Sequence, residues 1–248
     1  MLKAVLFDLD NTLVLFDEPA FYERYFARIC RSFSDIFPPE EFRNRVLRAT
    51  MALCRSSGEV SNLRFFLDVF TEGCEQPITE IWRRFMKFYE DEYDRIEVEV
   101  KAPSGLHDGI SWLHQRGLKL VVASNPIFPL TVQQKRMAWA GIDRFRFDLV
   151  THIENMSFVK PRLEYYLQIC EKIDAAPEEC LMVGNDPIND MVAGATGMKT
   201  YLTTEVGEID YSSLRLTVDE ERAPLSIPEP DFSGPLADVT RVVRKLCG

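Results

Sequence analysis

Val5-Leu-Phe-Asp8-Leu-Asp10-Asn-Thr12-Leu13 joins a short apolar run directly to two acidic residues. The apolar core of this stretch, Ala4 to Phe7, is too short for a helical period and predicts a buried strand. Strand side chains repeat their direction every second residue, so the carboxylates of Asp8 and Asp10 are expected to face one site. Two close carboxylates need a cation or a shared proton, which indicates a reactive site. From this stretch alone, a strand running into an Asp-rich turn is the equal alternative.

Length and composition narrow the class of protein. The chain has 248 residues, 46% of them apolar, enough for one large α/β domain or a domain with an insertion. Its formal net charge of −10 argues against nucleic acid or an anionic membrane as a general partner. No uncharged apolar run approaches the ~20 residues of a membrane span, and Met1 leads directly into a strand, so no signal peptide is expected. The six scattered cysteines lack a Cys-x-x-Cys pair and fit reduced thiols in a cytoplasmic protein.

The region from Glu18 to about Arg95 contains no convincing strand and reads as helical. Aromatic and aliphatic residues recur in it at helical spacing. Four helices are predicted, over Pro19–Arg31, Pro39–Cys54, Ser61–Phe70 and Thr79–Ile96. The aromatic stripes are interpreted as the core of a small helical bundle in preference to a binding surface.

After Pro103 the pattern alternates between helices and apolar strands, which is typical of βαβ units with a parallel sheet. Strands are predicted over Leu118–Ala123, Phe147–Thr151, Cys180–Val183 and Lys199–Leu202. Helices are predicted over His107–Gln115, Thr131–Ala140, Pro161–Ile173, Met191–Ala195 and Leu236–Leu246. The polar, acidic segment Thr203–Pro230 is predicted to be a surface excursion.

Polar clusters follow the apolar strands. Ser124 and Asn125 follow one strand, Asn185-Asp186-Pro-Ile-Asn-Asp190 follows another, and Lys160 precedes a helix between them. Each cluster alone is compatible with ordinary turn chemistry or a solvated side chain. Parallel strands deliver their carboxyl ends to one edge of a sheet, so these clusters are expected to converge with Asp8 and Asp10.

Four motifs, in this order, resemble those of the haloacid dehalogenase-like (HAD) hydrolases, specifically the phosphatase branch. They are Asp8-Leu-Asp10-Asn-Thr12, Val-Val-Ala-Ser124-Asn125, Lys160-Pro161 and Val-Gly-Asn185-Asp186-Pro-Ile-Asn-Asp190. The resemblance implies an α/β fold whose Rossmann-like parallel sheet core comprises residues 1–14 and 104–248. The helical region, residues 15–103, then corresponds to the family's helical cap inserted between the first and second motifs.

The resemblance also implies roles for the residues of the motifs. Asp8 corresponds to the nucleophile that attacks phosphorus, and its carboxylate to a ligand of Mg²⁺. Asp10 corresponds to the general acid and base, with its backbone carbonyl on the metal. Ser124, Asn125 and Lys160 correspond to the groups that bind phosphate, Ser124 and Lys160 with a catalytic part in stabilising its charge.

The fourth motif departs from the common family pattern. Many members have Asp directly after its glycine, where this chain has Asn185 followed by Asp186. An amide oxygen can ligate Mg²⁺ but brings no charge, so Asp186 is predicted to be the direct ligand. Asn185 and Asp190 are then supporting residues, with Asp190 orienting metal-bound water, and Thr12 supports the first loop by hydrogen bonding.

The function implied is a Mg²⁺-dependent phosphatase that hydrolyses a small phosphorylated metabolite, a phosphate monoester, through an aspartyl-phosphate. A monomer or a homodimer is expected, with neither nucleic acid nor membrane as a partner. A haloacid dehalogenase does not need a general acid at position 10, so the presence of Asp10 argues against that activity. A phosphomutase shares the whole motif set and remains an alternative, as does a non-catalytic binding or regulatory protein with the HAD fold, to which Asn185 alone points.

Overall fold

The computed structural model describes residues 1–206 and 228–248. Its six strands form one parallel sheet in the order β3-β2-β1-β4-β5-β6. Their bounds are β1 Ala4–Phe7, β2 Lys119–Val122, β3 Leu149–Val150, β4 Cys180–Gly184, β5 Lys199–Thr203 and β6 Phe232–Gly234. The predicted α/β fold with a parallel sheet is confirmed. Most of the predicted surface excursion, Thr203–Pro230, lies outside the described residues.

Strand β1 lies at the centre of the sheet. Every residue of β1 is buried, which explains its continuous apolar run. Phe7 pairs with Val122 of β2 on one side and with Val183 of β4 on the other. The residues that follow these three strands therefore begin at the same level, at the carboxyl edge of the sheet.

Helices cover both faces of the sheet, as the alternation along β1 requires. Val5 and Phe7 belong to one apolar cluster, while Ala4 and Leu6 belong to a second cluster on the opposite face. The helices of the first face are α5 Leu106–Gln115, α6 Leu130–Trp139 and α8 Val239–Cys247. Helix α7, Leu163–Ile173, covers the second face.

A helical insertion separates β1 from β2. Its helices are α1 Glu18–Ser32, α2 Pro39–Ala52, α3 Asn62–Phe70 and α4 Ile78–Asp91, and a 3₁₀ turn at Tyr93–Arg95 replaces the end of the predicted fourth helix. Asp17 and Ser61 cap α1 and α3, because each side chain accepts a hydrogen bond from a backbone N–H of the first turn. The four predicted helices are confirmed.

The aromatic residues of the insertion form its core, as interpreted from their spacing. Phe33, Phe42, Phe70 and Phe85 are buried and meet with ring centroids 4.5 to 6.4 Å apart. The two chain segments that join the insertion to the sheet pair with each other, since Leu15 and Lys101 exchange both backbone hydrogen bonds, at 2.8 and 2.9 Å. The insertion thus leaves and rejoins the sheet at one place.

Three further elements differ from the sequence-based expectation. The short helix predicted at Met191–Ala195 is a 3₁₀ helix, Met191–Thr196, that ends at Gly197 with a φ of +98°. The closing helix begins at Val239, after a separate 3₁₀ turn. Strand β6 was not predicted, because three residues carry no detectable period and its structure depends on pairing with β5. Within residues 1–206 and 228–248, no helix is both long enough and apolar enough to cross a membrane.

Candidate active site

The ammonium group of Lys160 lies between two carboxylates from different strand ends. Its Nζ donates hydrogen bonds to Asp8 Oδ1 at 2.7 Å and to Asp190 Oδ1 at 2.6 Å. The side chains of Lys160 and Asp190 are 2% and 1% exposed, whereas that of Asp8 is 14% exposed. The structure therefore brings together three of the four motifs, with the Asp8 carboxylate on the open side.

Charge balance decides the protonation of this cluster. Burial disfavours the charge of Lys160, but the Asp190 and Asp8 carboxylates outweigh it and hold the lysine pKa well above its usual value. Burial raises the pKa of Asp190 to about 7, against the opposing effect of Lys160. Lys160 is therefore a permanent buried cation at the edge of an acidic site.

Asp10 lies in a different environment from Asp8. Its Oδ2 accepts a hydrogen bond from Arg136 Nη1 of α6, and its Oδ1 is buried with no hydrogen-bond partner among the described residues. Burial raises the pKa of Asp10 to about 6, although the Arg136 charge acts in the opposite direction. A carboxyl group that titrates near neutrality can both give and take a proton.

The second motif joins the same site. Ser124 is buried, and its Oγ accepts a hydrogen bond from Gln133 Nε2 of α6 at 3.3 Å. Asn125 Oδ1 accepts the backbone N–H of Lys160 at 3.3 Å. Asn125 thus ties the end of β2 to the segment that carries the lysine.

Thr12 connects the first motif to the fourth. Its hydroxyl donates to Asn185 Oδ1 at 3.0 Å, and both residues are buried. This contact fits the supporting part expected of Thr12 and Asn185. It also means that the Asn185 amide oxygen, a potential metal ligand, already accepts one hydrogen bond.

The Asp186 carboxylate points into its own turn. Its Oδ1 accepts backbone N–H groups of Ile188 and Asn189 at 2.7 and 2.9 Å, and its Oδ2 accepts Asn189 Nδ2 at 2.7 Å. The Asp186 N–H donates to Asp190 Oδ2 at 3.0 Å. To bind a metal, the carboxylate would share oxygens that already stabilise this turn.

Glu18, in the first turn of α1, also reaches the site. Its Oε1 accepts a hydrogen bond from Asn11 Nδ2 at 3.3 Å, while Asn11 Oδ1 accepts the backbone N–H of Phe16. Asn11 itself has a φ of +57°, a conformation that Asn tolerates better than most residues. Burial, together with the Asp10 charge, raises the pKa of Glu18 to about 8.

Comparison with known proteins places this arrangement in a family. The sequence profile described as haloacid dehalogenase-like hydrolase matches residues 2–197. The chain belongs to the haloacid dehalogenase-like hydrolases. The resemblance drawn from the four motifs is thereby confirmed, and the protein is a hydrolase with the helical insertion between β1 and β2.

Three proteins show how similar this HAD hydrolase is to others in sequence or in structure. Pyrophosphatase PpaX of Bacillus cereus (strain B4264) is 27% identical over 200 residues, 80% of this chain and 82% of that protein. The structure of a predicted phosphoglycolate phosphatase from Haemophilus somnus 129PT superposes with a TM-score of 0.55 at 18% identity, covering 98% of each chain. The HAD hydrolase YfnB of Bacillus subtilis, whose structure contains magnesium, gives 0.51 at 18% identity, again over 98% of each chain.

The donor groups at the carboxyl edge of this HAD hydrolase fit Mg²⁺ in their chemistry. Mg²⁺ prefers hard oxygen ligands and keeps several waters, so one or two carboxylates are sufficient. Asp8 supplies a partly exposed carboxylate, Asp10 a backbone carbonyl, and Asn185 or Asp186 a further oxygen. In the part of the chain that the structure describes, no three acidic, His or Cys side chains form a metal-binding group. The remaining coordination positions of a bound Mg²⁺ would be filled by water and substrate oxygens, as is usual for this ion.

Sequence reasoning missed Arg136, Gln133 and Glu18. Arg136 and Gln133 lie on α6 and are fully buried, although Arg and Gln on a helix are ordinarily solvated. Glu18 is an acidic residue in a helical first turn, a common placement that favours the helix dipole. No local signal distinguishes these residues; only the packing of the insertion against the sheet does.

The Glu18→Gln variant is expected to change how stability depends on pH in the metal-free protein. A carboxyl pKa raised in the folded state means that unfolding releases a proton, so wild-type stability falls as pH rises from about 4.5 to about 8. Gln keeps the acceptor for Asn11 but cannot ionise. The two proteins should unfold alike in urea at pH 4.5. At pH 8.5 the variant should be more stable by at least about 2 kcal/mol, because the pKa shift corresponds to about 5 kcal/mol before solvent screening of this partly exposed group is allowed for.

The control for this comparison is Glu23→Gln, an exposed position on the same helix. Its effect should stay within about 0.5 kcal/mol at both pH values. A Glu18→Gln effect of the same size at pH 4.5 and pH 8.5 would contradict the assigned environment of Glu18.

Proposed function

We propose that this HAD hydrolase is a Mg²⁺-dependent phosphatase that hydrolyses a small-molecule phosphate monoester through an aspartyl-phosphate on Asp8. The observation that carries the proposal is the buried Lys160 cation, held between Asp8 and Asp190 while Asp10 stands two residues beyond Asp8. A cation beside a partly exposed carboxylate is suited to a dianionic phosphoryl group, which would otherwise be repelled by the acidic site.

Each residue has a part in the two steps of this reaction. Asp8 attacks phosphorus through one carboxylate oxygen, and the bond to the alcohol oxygen breaks. Asp10 gives its proton to that alcohol, then removes a proton from the water that hydrolyses the aspartyl-phosphate. Lys160 and the Ser124 hydroxyl stabilise the phosphoryl oxygens in both steps, and Asn125 holds the Lys160 backbone in place. Asp8, the Asp10 carbonyl and Asp186 or Asn185 would hold Mg²⁺, which would supply further positive charge at the phosphoryl group when bound.

The relatives support phosphate chemistry in general terms. One is named a pyrophosphatase and another a predicted phosphoglycolate phosphatase, and both names describe hydrolysis of a phosphate compound. Magnesium in the YfnB structure supports Mg²⁺ as the metal. The substrate of the present enzyme is proposed only as a small phosphate monoester.

The test is a hydrolysis screen over phosphorylated metabolites with Mg²⁺, following release of inorganic phosphate. Wild type is expected to release phosphate from one or a few monoesters, and the activity should disappear with a chelator and in Asp8→Asn. Conversion of a monoester into an isomeric phosphate that requires an added sugar bisphosphate and gives no net release of inorganic phosphate would identify a phosphomutase. No turnover of any ester by pure, folded protein would refute the proposal and favour a binding protein.

Removing the charge of Asp186 should weaken Mg²⁺ binding more than changing Asn185. Asp186→Asn keeps an oxygen acceptor for the Ile188 and Asn189 backbone N–H groups and gives up the bond from Asn189 Nδ2, so most of the turn is preserved while the anionic ligand is lost. We expect the half-saturating Mg²⁺ concentration to rise by about tenfold or more in Asp186→Asn and by less in Asn185→Ala. Calorimetric titration with Mg²⁺ alone checks binding apart from turnover, and a larger effect of Asn185→Ala would make Asn185 the ligand.

A further inference from the structure

We propose that Arg136 is a positioning residue for Asp10, and that the helical insertion holds Arg136 in place through the Tyr93 hydroxyl. The proposal rests on the phosphatase function above, in which Asp10 transfers the proton. It adds a residue from outside the four motifs, and it gives the insertion a direct connection to the proton-transfer group.

One guanidinium contacts both parts of the molecule. Arg136 Nη1 donates to Asp10 Oδ2 in the first motif, and Arg136 Nε donates to Tyr93 Oη at 2.8 Å, at the end of the insertion. The Arg136 side chain is 1% exposed. A planar guanidinium with two of its N–H groups engaged has little rotational freedom, so the positions of Tyr93 and Asp10 are coupled.

Aromatic rings enclose the guanidinium. Its central carbon lies 4.5 Å from the ring centroid of Phe128, 5.1 Å from that of Phe21 and 5.9 Å from that of Phe16. Phe21 belongs to α1 of the insertion and Phe128 to the segment before α6. These rings exclude water, which strengthens the charge interaction between Arg136 and Asp10.

Tyr93 is itself fixed against the helix that carries Arg136. Its ring stacks on Trp139 of α6, with centroids 5.8 Å apart and an interplanar angle of 7°. When the insertion is packed against the sheet, the Tyr93 hydroxyl therefore has a set position relative to Arg136. Displacement of the insertion would remove this hydrogen bond and the aromatic enclosure together.

The contact with Arg136 distinguishes the two oxygens of Asp10. Oδ2 is occupied by the guanidinium, whereas Oδ1 is buried with no hydrogen-bond partner among the described residues. Oδ1 is thus the oxygen left to exchange a proton with the leaving alcohol or with water. Proton transfer requires hydrogen-bond distance and alignment, so holding Oδ2 sets the direction of Oδ1.

The competing explanation is that the ion pair between Arg136 and Asp10 is purely structural. The dependence of the reaction rate on the leaving group distinguishes this explanation from the positioning role. Poor alkoxide leaving groups need a proton from Asp10, whereas nitrophenolate scarcely does. Misdirecting Asp10 should therefore slow formation of the aspartyl-phosphate mainly from an alkyl phosphate. A structural defect would reduce the amount of active protein and affect both esters equally.

The experiment measures that first step in single turnovers, with an alkyl phosphate identified in the screen and with p-nitrophenyl phosphate, in the Mg²⁺-loaded enzyme. Arg136→Met should slow formation of the aspartyl-phosphate by about 100-fold with the alkyl ester and by less than about tenfold with the nitrophenyl ester. Arg136→Lys should recover part of the alkyl-ester rate, because it keeps the charge. Tyr93→Phe, which removes only the hydroxyl, should cost the alkyl ester several-fold more than the nitrophenyl ester.

Tyr25→Phe is the matched control for Tyr93→Phe. It removes another buried hydroxyl of the insertion, one that lies 3.0 Å from the Tyr89 hydroxyl. Tyr25→Phe should change the first-step rates with the two esters by the same factor. If Arg136→Met fails to fold, Arg136→Lys and Tyr93→Phe still decide the question.

Combining substitutions gives the decisive result. In an Asp10→Asn background, adding Arg136→Met should cause no further loss specific to the alkyl ester, because the group it positions is absent. Equal losses for both esters in the Arg136 and Tyr93 variants, or a further tenfold alkyl-specific loss in that background, would overturn the positioning role. Wild type without activity towards any phosphate ester would instead refute the proposed function.

Discussion

The Asp8→Asn variant is expected to retain the fold and to lose phosphatase activity by about 10⁴-fold or more relative to wild type, because the nucleophile is removed. An amide cannot attack phosphorus to form the aspartyl-phosphate. The backbone of residue 8 is held by its N–H to the Val183 carbonyl at 2.9 Å, a contact that the substitution leaves intact. Lys160 keeps its bond to Asp190, and the new amide oxygen can still accept from Lys160.

Phosphate release and thermal unfolding, measured on the same preparations, check both halves of this expectation. Asp17→Asn is the matched control, because it makes the same chemical change nearby while an Asn side chain can still cap α1. Asp17→Asn should keep activity within about threefold of wild type. Activity of Asp8→Asn within tenfold of wild type would remove Asp8 from the role of nucleophile.

Lys160→Met is expected to affect stability and activity together. Met replaces a buried cation by an apolar side chain of similar length and leaves the Asp8 and Asp190 carboxylates without it. Breaking a buried ion pair by removing one partner costs about 3–5 kcal/mol. Activity should fall by about 10³-fold, because a charge that stabilises the transferring phosphoryl group is lost.

The loss of stability in Lys160→Met is expected to depend on pH. The ion pairs stabilise the protein only while the carboxylates are ionised, and burial already raises the pKa of Asp190 to about 7. In Lys160→Met the Asp190 carboxyl group can relieve the deficit by binding a proton. The stability difference from wild type should therefore be largest above pH 7 and shrink towards pH 4.

Lys199→Met is the control for a lost lysine. Lys199 forms an exposed ion pair with Asp231 at 2.6 Å, and removal of such a pair costs less than about 1 kcal/mol. Urea unfolding at pH 5 and pH 8 compares the three proteins. If Lys160→Met lost no more stability than Lys199→Met at pH 8, the buried cluster would not carry the energy assigned to it.

Sequence reasoning succeeded where local pattern and sheet geometry act together. The short apolar run at Ala4–Phe7 could form only a buried strand, and parallel pairing then required the residues after β1, β2 and β4 to meet. Ser124 and Asp190 could therefore be expected at the same sheet edge as Asp8, while the third motif indicated Lys160, which contacts both Asp8 and Asp190.

Sequence reasoning failed where the surroundings of a side chain are created by packing between segments that are distant in the chain. Arg136 and Glu18 occupy ordinary helical positions. The burial of Arg136 and the raised carboxyl pKa of Glu18 follow from how the insertion packs on the sheet. The direction of the Asp186 carboxylate depends on hydrogen bonds within a turn whose conformation the residue types alone do not determine. Strand β6 exists because β5 offers an edge for pairing.

The central position of β1 has a consequence for how the chain folds during synthesis. β1 leaves the ribosome before both of its pairing partners, β2 and β4, which follow the entire insertion. Helices α1 to α4 have local contacts and can form early, whereas closing the long loop between β1 and β2 is entropically costly. The apolar residues of β1 must therefore wait unpaired until β2 has been made, and they are paired on one side only until β4 follows. Sheet assembly is therefore a late event, and until then the unpaired edges of β1 are a place at which the nascent chain can aggregate.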